Sequence, residues 1–505
     1  MKIAVDVLSI RSDGSAGGAT GFALELIKGL ASRQGIQVVV LCGDWNIKYL
    51  KECLPKNIQF IQVTGRGWNI GIGIIDHIID RIRSKLRKKS VLAQNKIDIL
   101  YCPFSAATYR EKGIPTVSTI LDIQHEYYPQ FFEPTELIHR RRFYQNIVKK
   151  VERVVCISDY TKKSFCEKYG FPESKAQTVY IAIQNRFQEE DDTVLDRLNI
   201  RGHVYITYPA NFWEHKNHKL LLTAFGMYHA KDKEMKLVLT GNPLEQKKYF
   251  EALIKALDLT EHVIITGYVN DDELHSILKN AKGLIYPSLF EGFGIPVVEA
   301  MYLHKLVACS NLTSLPEIGC DEIYYFNPKK PDDILKAICY LADNDITDTI
   351  LSKYEKKLQE YNIDKMVDNY LRIFKETIEK KEEYIFHEEV TGIYEDGWSE
   401  DQCIIQLKNR VGGCLKIRIL LPQFVGMKEK IILRNNDNAK WFTMNPGDSL
   451  DLAEKVDNEN TTISFHVSKT WSPKAILKSE DARSLGVLVE SLILETDNEV
   501  INLKN

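Results

Sequence analysis

Short apolar runs alternate with amphipathic stretches along most of the chain. Amphipathic segments such as FALELIKGL have the spacing of a helix with one apolar face, whereas the runs between them have the length of buried strands. In the first part of the chain these runs lie at residues 2–10, 36–42, 98–102, 115–121 and 152–157. Regular strand-helix alternation is typical of a parallel sheet covered by helices on both faces. We therefore predict a doubly wound, Rossmann-like first domain over residues 1–198.

A second series of the same kind begins near His203. Its apolar runs, each followed by a helix-like segment, are VYITYPA, KLVLTG, HVIITG, GLIYPS, KLVACS and IYYF. This series predicts a second Rossmann-like domain over residues 199–365. Two doubly wound domains in tandem indicate a ligand site in the cleft between them, outside the carboxyl ends of the strands.

The pattern changes again toward the end of the chain. Residues 366–384 have helical spacing, with the apolar side chains of Met366, Val367, Tyr370, Leu371, Phe374 and Ile378 on one face. The runs CLKIRIL, KIILRN, TTISFHV and GVLVESLIL then alternate with the turn signals NND, NPGD and DNEN. These short β-like runs predict an all-β sandwich domain over residues 387–505.

Composition narrows the class of protein. At 505 residues with 44% hydrophobic content, the chain is long enough for about three globular domains. A formal net charge of -3 gives no pull toward nucleic acid, so we expect no nucleic-acid partner. The opening MKIAVDVLSI suits a first strand, and no apolar stretch reaches the length of a membrane span. Ten cysteines without paired metal spacing indicate free thiols and a cytoplasmic location.

The segment YPSLFEGFGIPVVEAM, residues 286–301, carries the strongest chemical signal. It places Glu291 and Glu299 around two glycines, between a buried strand and an apolar helix whose first position suits Pro296. The amino end of a helix binds phosphate oxygens, whereas carboxylates accept hydrogen bonds from sugar hydroxyls. The segment therefore indicates a site for a sugar joined to a phosphate.

This segment resembles the paired-glutamate signature of retaining glycosyltransferases of the GT-B fold, family 4. The resemblance covers about residues 1–380 and implies that Glu291 holds the donor sugar and Glu299 the ribose of the nucleotide. It implies that the helix over 366–384 crosses back to the first domain. It also places these residues in the donor site: Gly292, Phe293, Gly294, Gly267 and Tyr268.

Two loops extend the resemblance. RSDGSAGGATGFALELIKGL, residues 11–30, resembles the family's glycine-rich loop, in which Gly17 and Gly18 let the backbone approach the diphosphate or the acceptor. YPANFWEHKNHKLLLTAF carries His215 and a lysine, Lys216, that matches the family's diphosphate-binding lysine. Asn211 stands where the family commonly has an arginine.

The segment STILDIQHEYYPQFF, residues 118–132, supplies Asp122 and His125. Many family 4 enzymes have a histidine facing the reacting sugar here, but this chain has Leu121 at that position. Either Asp122 or His125 could face the sugar, because a carboxylate and a neighbouring imidazole are both suited to proton transfer. The alternative for His125 is a packing role beside tyrosines.

The resemblance implies a retaining, metal-independent hexosyltransferase that uses a UDP- or GDP-linked sugar and needs no obligatory cofactor. The expected acceptor is a glycan or a lipid-linked sugar in cell-surface polysaccharide or other glycoconjugate synthesis. The basic stretch at residues 74–90 suits either contact with the inner face of a membrane or a solvated surface. The sandwich domain could bind protein or glycan.

Two other functions use the same features. A sugar-nucleotide epimerase or hydrolase would use a similar cleft without an acceptor, and a non-enzymatic scaffold would bind a nucleotide sugar or glycan without turnover.

Overall fold

The computed structural model describes the chain in ranges that cover both predicted α/β domains and most of the tail. They are residues 1–10, 18–63, 91–105, 109–111, 113–183, 186–187, 189–231, 235–243, 246–380, 388–394, 397–408, 412–435, 438–456, 460–476, 484–496 and 500–503. The chain divides into two compact units, Met1–Glu382 and Glu383–Asn505.

A seven-stranded parallel sheet of order β3-β2-β1-β4-β5-β6-β7 forms the first α/β domain. Its strands are β1 (Lys2–Asp6), β2 (Gln37–Cys42), β3 (Gln59–Gln62), β4 (Ile99–Cys102), β5 (Thr116–Ile120), β6 (Arg153–Cys156) and β7 (Ala176–Thr178). Its helices are α1 (Gly18–Ala31), α2 (Ile47–Cys53), α3 (Val91–Gln94), α4 (Gln124–Tyr127), α5 (Pro134–Lys150) and α6 (Asp159–Tyr169). Every residue of β5 is buried, as expected for a strand covered on both faces. The edge strands β3 and β7 escaped prediction because their sequences, QFIQ and AQT, lack a long apolar run.

The second α/β domain has a six-stranded parallel sheet of order β10-β9-β8-β11-β12-β13. Its strands are β8 (Tyr205–Pro209), β9 (Lys236–Thr240), β10 (Val263–Gly267), β11 (Gly283–Tyr286), β12 (Leu306–Ser310) and β13 (Tyr324–Phe326). Its helices are α7 (Thr193–Arg197), α8 (His218–His229), α9 (Lys247–Ala256), α10 (Asp271–Asn280), α11 (Ile295–Tyr302), α12 (Leu315–Ile318), α13 (Pro331–Asp343) and α14 (Asp348–Leu358). The strand order reverses between β8 and β11, so the loops after these two strands lie side by side. Such a switch point is where open α/β sheets bind ligands.

The last helix of the unit Met1–Glu382 is α15 (Ile363–Glu379), which packs on the first α/β domain. Its Tyr370 hydroxyl lies 3.0 Å from the Thr119 hydroxyl on β5, and its ring meets Tyr101 edge to face at 5.3 Å. Gly29 of α1 gives room for Val367, whose Cγ2 would lie only 2.4 Å from a Cβ added at that glycine. The apolar face read from the sequence is therefore the buried face of this helix.

Two antiparallel sheets form the C-terminal unit, with orders β14-β15-β20-β17-β18 and β19-β16-β21-β22. Their strands are β14 (Glu388–Ile393), β15 (Ser399–Lys408), β16 (Cys414–Leu420), β17 (Glu429–Asn435), β18 (Asn438–Met444), β19 (Ser449–Lys455), β20 (Asn460–Val467), β21 (Leu488–Glu495) and β22 (Val500–Asn502), with one short helix, α16 (Pro473–Ile476). Alternate residues of β16 point inward and join those of β17 in one hydrophobic core. The predicted all-β character of this region is confirmed.

Other expectations concern the surroundings of the protein. All ten cysteines are free thiols. Within the described ranges, no helix combines the length and the apolar character that crossing a bilayer requires. The basic stretch at 74–90 lies outside the described residues, so its membrane contact stays a prediction.

Candidate active site

The loop between β11 and α11 carries the first glutamate of the paired motif. Gly294 ends this loop with a φ of 107°, a left-handed conformation that favours glycine, and a Cβ there would lie 2.5 Å from Leu315 Cδ2. The helix begins at Ile295, so Pro296 is its second residue and not its first, as the sequence suggested. Proline is tolerated there because the first-turn amides lack partners within the helix.

Lys216 and Glu291 meet at the switch point of the second sheet. Lys216 follows β8 and Glu291 follows β11, and their Nζ and Oε1 atoms are 2.6 Å apart. The Tyr286 hydroxyl donates to the same Oε1 at 3.1 Å and accepts from Lys216 Nζ at 3.3 Å. Each of the two charged side chains is only 12% exposed. The two predicted residues therefore form one nearly buried ion pair.

Glu291 is ionised at neutral pH. Burial alone would raise its pKa, but the charge of Lys216, together with hydrogen bonds from Lys216 and Ser288, lowers it below its ordinary value. A carboxylate can accept about four hydrogen bonds, so these contacts leave acceptor capacity for a hydroxyl group of a ligand. The site thus presents a fixed negative charge beside a fixed positive one.

Asp122 of the first domain lies against the same loop. A Cβ added at Gly292 would be 1.9 Å from the Leu121 carbonyl oxygen and 3.3 Å from Asp122 Cβ, so only a glycine lets the two segments touch. Burial raises the pKa of Asp122; the hydrogen bond from the Gln124 amide opposes this shift, and the nearby Glu291 adds to it. The negative charge of Glu291, in the second domain, therefore acts on Asp122 in the first domain.

His125 lies on the other side of this segment, inside the first domain. Its ring has no exposed surface, stacks on Tyr144 at 4.9 Å and places Nε2 2.7 Å from the Tyr169 hydroxyl. Burial lowers its pKa to about 4, so the imidazole is neutral at pH 7. The short helix α4 turns the side chain into the core, and as placed it cannot touch a sugar. This placement favours the alternative for His125, a packing role beside tyrosines.

The glycine-rich loop leads into α1. Gly17 lies outside the described residues, whereas Gly18 is the first residue of the helix, and Gly21 lies within it. A Cβ added at Gly18 would be 2.7 Å from Ile295 Cδ1 at the start of α11. The amino ends of α1 and α11 therefore lie side by side, one from each domain. Both ends carry the positive pole of a helix dipole, which favours an anion between them.

Glu299, the second glutamate of the motif, is 1% exposed and is held by an arginine that the sequence did not single out. Arg186 Nε is 2.7 Å from Glu299 Oε1, and Nη2 is 2.8 Å from Oε2. This two-point contact fixes the plane of the carboxylate. The partners are 113 positions apart and no local motif surrounds Arg186, so the sequence contains no signal of this pair.

Three predicted donor-site residues surround the Lys216 loop or the motif. Asn211 accepts a hydrogen bond from the Asn242 amide at 2.8 Å through its side-chain oxygen, which ties together the loops after β8 and β9. The His215 ring stacks on Trp213 at 5.7 Å, and burial, with the charge of Lys216, lowers its pKa to about 3. Phe293 is 4% exposed and packs on Tyr361 at 5.6 Å, so its side chain belongs to the core and only its backbone could meet a donor.

Gly267 and Tyr268 lie at the end of β10, on the third loop of the second sheet. Gly267 has a φ of 73°, and its carbonyl oxygen accepts from the Gly241 amide at 2.9 Å. The Tyr268 side chain is 84% exposed. Tyr268 and Asp271 also act electrostatically on Tyr49 of α2, which places them near the first domain.

The first domain also contacts α12 and the motif loop in ways that the sequence did not reveal. The Glu317 carboxylate, near the end of α12, accepts hydrogen bonds from the Asp159 and Tyr160 amides at 2.6 and 2.9 Å. These amides open α6, so a carboxylate of one domain caps a helix of the other. Phe290 is 3% exposed and packs on Tyr127 at 5.4 Å.

Ser158 makes a further contact between the first domain and the motif loop. It caps α6, because its hydroxyl accepts a hydrogen bond from the Thr161 amide at 3.1 Å. Its hydroxyl also reaches the motif loop, 2.7 Å from the Gly292 carbonyl oxygen. In the part of the chain that the structure describes, no three metal-binding side chains come together. Metal-independent transfer stays a prediction.

Two family models match the unit Met1–Glu382, which contains both α/β domains and is called the α/β unit below. Residues 16–184 match the model described as Glycosyltransferase Family 4, and residues 195–358 match Glycosyl transferases group 1. The first covers Gly17, Gly18 and Asp122, and the second covers Lys216, Glu291 and Glu299. Neither match extends into the C-terminal unit.

Sequence relatives include proteins named as mannosyltransferases. The O-antigen chain mannosyltransferase B of Escherichia coli is 24% identical over 234 residues, which are 45% of this chain and 61% of that protein. The O-antigen chain mannosyltransferase RfbU of Salmonella typhimurium is 24% identical over 260 residues, which are 50% of this chain and 68% of that protein. This chain thus spans less than two thirds of the first of these relatives.

Solved structures show the GT-B fold of the α/β unit. A glycosyltransferase from Rickettsia africae superposes with a TM-score of 0.56 and 17% identity, covering 75% of this chain and 98% of the other. HepE of Anabaena, solved in complex with UDP and glucose, gives 0.57 and 17%, covering 74% of this chain and 100% of the other. The predicted fold, two Rossmann-like domains of the GT-B type, is confirmed.

Proposed function

We propose that this chain, in which a family 4 domain precedes a group 1 glycosyltransferase domain, is a retaining glycosyltransferase acting on a nucleotide-diphosphate sugar. The observation that carries the proposal is the pair Lys216–Glu291, 2.6 Å apart and nearly buried beside the amino end of α11. A lone buried ion pair gives little stability, so its position at a switch point favours a functional role.

The site divides naturally between the parts of such a donor. The ionised Glu291 would accept hydrogen bonds from hydroxyls of the sugar. Lys216 and the neighbouring amino ends of α1 and α11 would hold the diphosphate, since they supply positive charge. Glu299 would accept from the ribose hydroxyls.

Catalysis follows from this arrangement. The bond between the anomeric carbon and the phosphate oxygen breaks, the acceptor oxygen bonds to that carbon on the same face, and the acceptor proton passes to the departing phosphate oxygen. Charge develops on the leaving diphosphate, where Lys216 and the helix ends would stabilise it. Losing one such preorganised donor commonly slows a reaction by about a hundredfold or more. No protein nucleophile and no metal ion are required in this scheme.

Asp122 is the first-domain residue best suited to the reacting sugar. Its pKa is raised by burial, so near neutral pH it is closer to its protonated form than an exposed aspartate. It lies next to Leu121, whose carbonyl contacts the Glu291 loop at Gly292. We assign His125 a supporting role behind this segment, because its ring is fully buried.

The donor would be a UDP- or GDP-linked hexose. HepE binds UDP and glucose, and the sequence relatives carry mannosyltransferase names, so both glucose-type and mannose-type donors are worth testing. The acceptor would be a glycan or a lipid-linked sugar of a surface polysaccharide, in keeping with the O-antigen relatives. The C-terminal all-β unit would then serve the acceptor side, by binding glycan or protein.

A screen of nucleotide sugars followed by a transfer assay tests the proposal. A true donor raises the melting temperature by mass action, and incubation with oligosaccharide acceptors should give a product whose new linkage keeps the anomeric configuration of the donor. Inverted configuration would overturn the retaining assignment. Donor turnover that no acceptor changes would identify a hydrolase or epimerase, and binding without any turnover would identify a scaffold.

A further inference from the structure

Arg186 contacts the second glutamate of the paired motif and a further carboxylate, Asp271. Its Nε and Nη2 atoms lie 2.7 and 2.8 Å from the two oxygens of Glu299, and its Nη1 lies 2.9 Å from Asp271 Oδ1. Glu299 is 1% exposed, whereas the Arg186 side chain is 27% exposed. One guanidinium group therefore joins a buried carboxylate to a carboxylate at the surface.

The guanidinium is held in a fixed plane. It lies 4.9 Å over the Phe187 ring, which in turn stacks on His275 of α10 at 5.2 Å. Asp271 is the first residue of α10, and that helix start is fixed by the Asn270 side chain, which accepts from the Glu273 amide at 2.9 Å. Arg186 thus bridges α10 and α11 with little freedom to rotate.

This geometry determines what Glu299 can do. Its two-point contact with Arg186 uses only about half of the acceptor positions of the carboxylate. The remaining acceptor positions lie on the two oxygens of one carboxylate whose plane is fixed. This arrangement suits two neighbouring hydroxyls.

We propose that Arg186 is a positioning residue for the nucleotide: it aims Glu299 at the ribose hydroxyls and so makes the site selective for ribonucleotides over deoxyribonucleotides. This inference rests on the proposed function, in which Glu299 receives the ribose.

The charge balance favours ribose over phosphate as the group that this cluster recognises. Arg186 carries one positive charge and contacts two carboxylates, Glu299 and Asp271, so the three side chains together are negative. A cluster of negative charge repels a diphosphate but accepts hydrogen bonds from hydroxyls. Arg186 therefore does not replace the arginine that the family commonly has at the position of Asn211.

The test measures the affinities of UDP, GDP and their 2′-deoxy forms by calorimetry for the wild type, R186Q, R186K and E299Q. A hydrogen bond to a charged group accounts for about tenfold or more in affinity, so the wild type should prefer the ribose form by at least that factor. R186Q and E299Q should reduce the preference to about twofold. R186K should be intermediate, because lysine keeps the charge without the two-point contact.

R201Q is the matched control, because Arg201 makes a similar contact to Asp196, with Nε 2.6 Å from Oδ1, at an exposed position. It should keep the full preference. If R186Q does not fold, R186K decides the question through its loss of preference. Wild-type discrimination in a folded R186Q or R186K would overturn this inference alone. A wild type that binds no nucleoside diphosphate would overturn the proposed function together with it.

Discussion

The Ser158 hydroxyl donates a hydrogen bond to the carbonyl oxygen of Gly292, 2.7 Å away. Ser158 opens α6 in the first α/β domain, and Gly292 follows the glutamate that we assign to the donor sugar in the second. The Thr161 hydroxyl reaches the same carbonyl at 3.2 Å. The position of Glu291 therefore depends on both domains, since the first domain holds the backbone beside it.

Replacing Gly292 with alanine tests this dependence. The new Cβ would lie 1.9 Å from the Leu121 carbonyl oxygen, and neither backbone can yield without moving Glu291. A displacement of about 1 Å at a reacting group costs on the order of a hundredfold in rate, so G292A should lose at least that much kcat. G226A is the control, because its Cβ would meet Leu257 at an ordinary 3.7 Å within a helix. A G292A enzyme with normal kcat would refute the tight contact between the loops.

Glu317 should contribute to stability through the helix that it caps. E317A leaves the amides of Asp159 and Tyr160 without their carboxylate partner, so we expect a loss of about 1–2 kcal/mol in the free energy of unfolding. Urea titration followed by circular dichroism measures this difference. E322A is the comparison, since Glu322 pairs at 3.6 Å with Lys353, whose side chain is 54% exposed, and should change stability by under about 0.5 kcal/mol. Equal effects of the two variants would contradict the capping role.

Variants of the Lys216–Glu291 pair should affect the stability of the fold and the transfer activity differently. K216M leaves the nearly buried Glu291 carboxylate unpaired and should destabilise the fold by about 3 kcal/mol. The double variant K216M/E291Q removes both charges and should recover most of that stability, because replacing a buried pair as a unit is often close to neutral. Transfer should be lost in both variants. Recovery of transfer in the double variant would show that the pair is structural only.

Buried histidines predict a pH dependence of stability. His218 is 2% exposed, stacks on Phe212 at 3.9 Å, and has its pKa lowered from 6.5 to about 3, chiefly by burial and further by the charge of Lys216. The unfolded chain binds this proton below about pH 6.5 while the folded protein does not, so stability is complete above that pH and falls as the pH drops toward 3.

H218F removes this group and keeps an aromatic ring. The slope of unfolding free energy against pH between about 4 and 6 should therefore decrease by about 1.4 kcal/mol per pH unit relative to the wild type. H203F is a suitable control, because His203 is exposed. An unchanged slope in H218F would mean that His218 is protonated in the folded state.

The sequence predicted the parts of the site that lie on the loops of one sheet. Lys216 and Glu291 follow β8 and β11, and the strand order of a doubly wound sheet brings those loops together. Contacts between distant segments were not predictable in this way. Glu317 and Asp159 are 158 residues apart, and their pairing depends on how two domains meet.

The burial of His125 was not predictable from the sequence for a different reason. The residue type and its neighbours suggested proton transfer, but the direction of a side chain on a four-residue helix is set by packing against Tyr144 and Tyr169. Glu299 was predicted without its partner for a related reason. Arg186 has no motif around it and pairs with Glu299 only in the folded chain.

The division of work within the donor site can be measured directly by titrating the wild type, E291Q and K216M with a nucleotide sugar and with the corresponding nucleoside diphosphate. E291Q should weaken binding of the nucleotide sugar by about tenfold and leave the nucleoside diphosphate nearly unchanged, because the sugar is the part of the donor that we assign to Glu291. K216M should weaken both ligands, since it removes the charge that faces the diphosphate. Equal losses of both ligands in E291Q, or a wild type that binds neither, would contradict the assignment of Lys216 and Glu291 as the donor site.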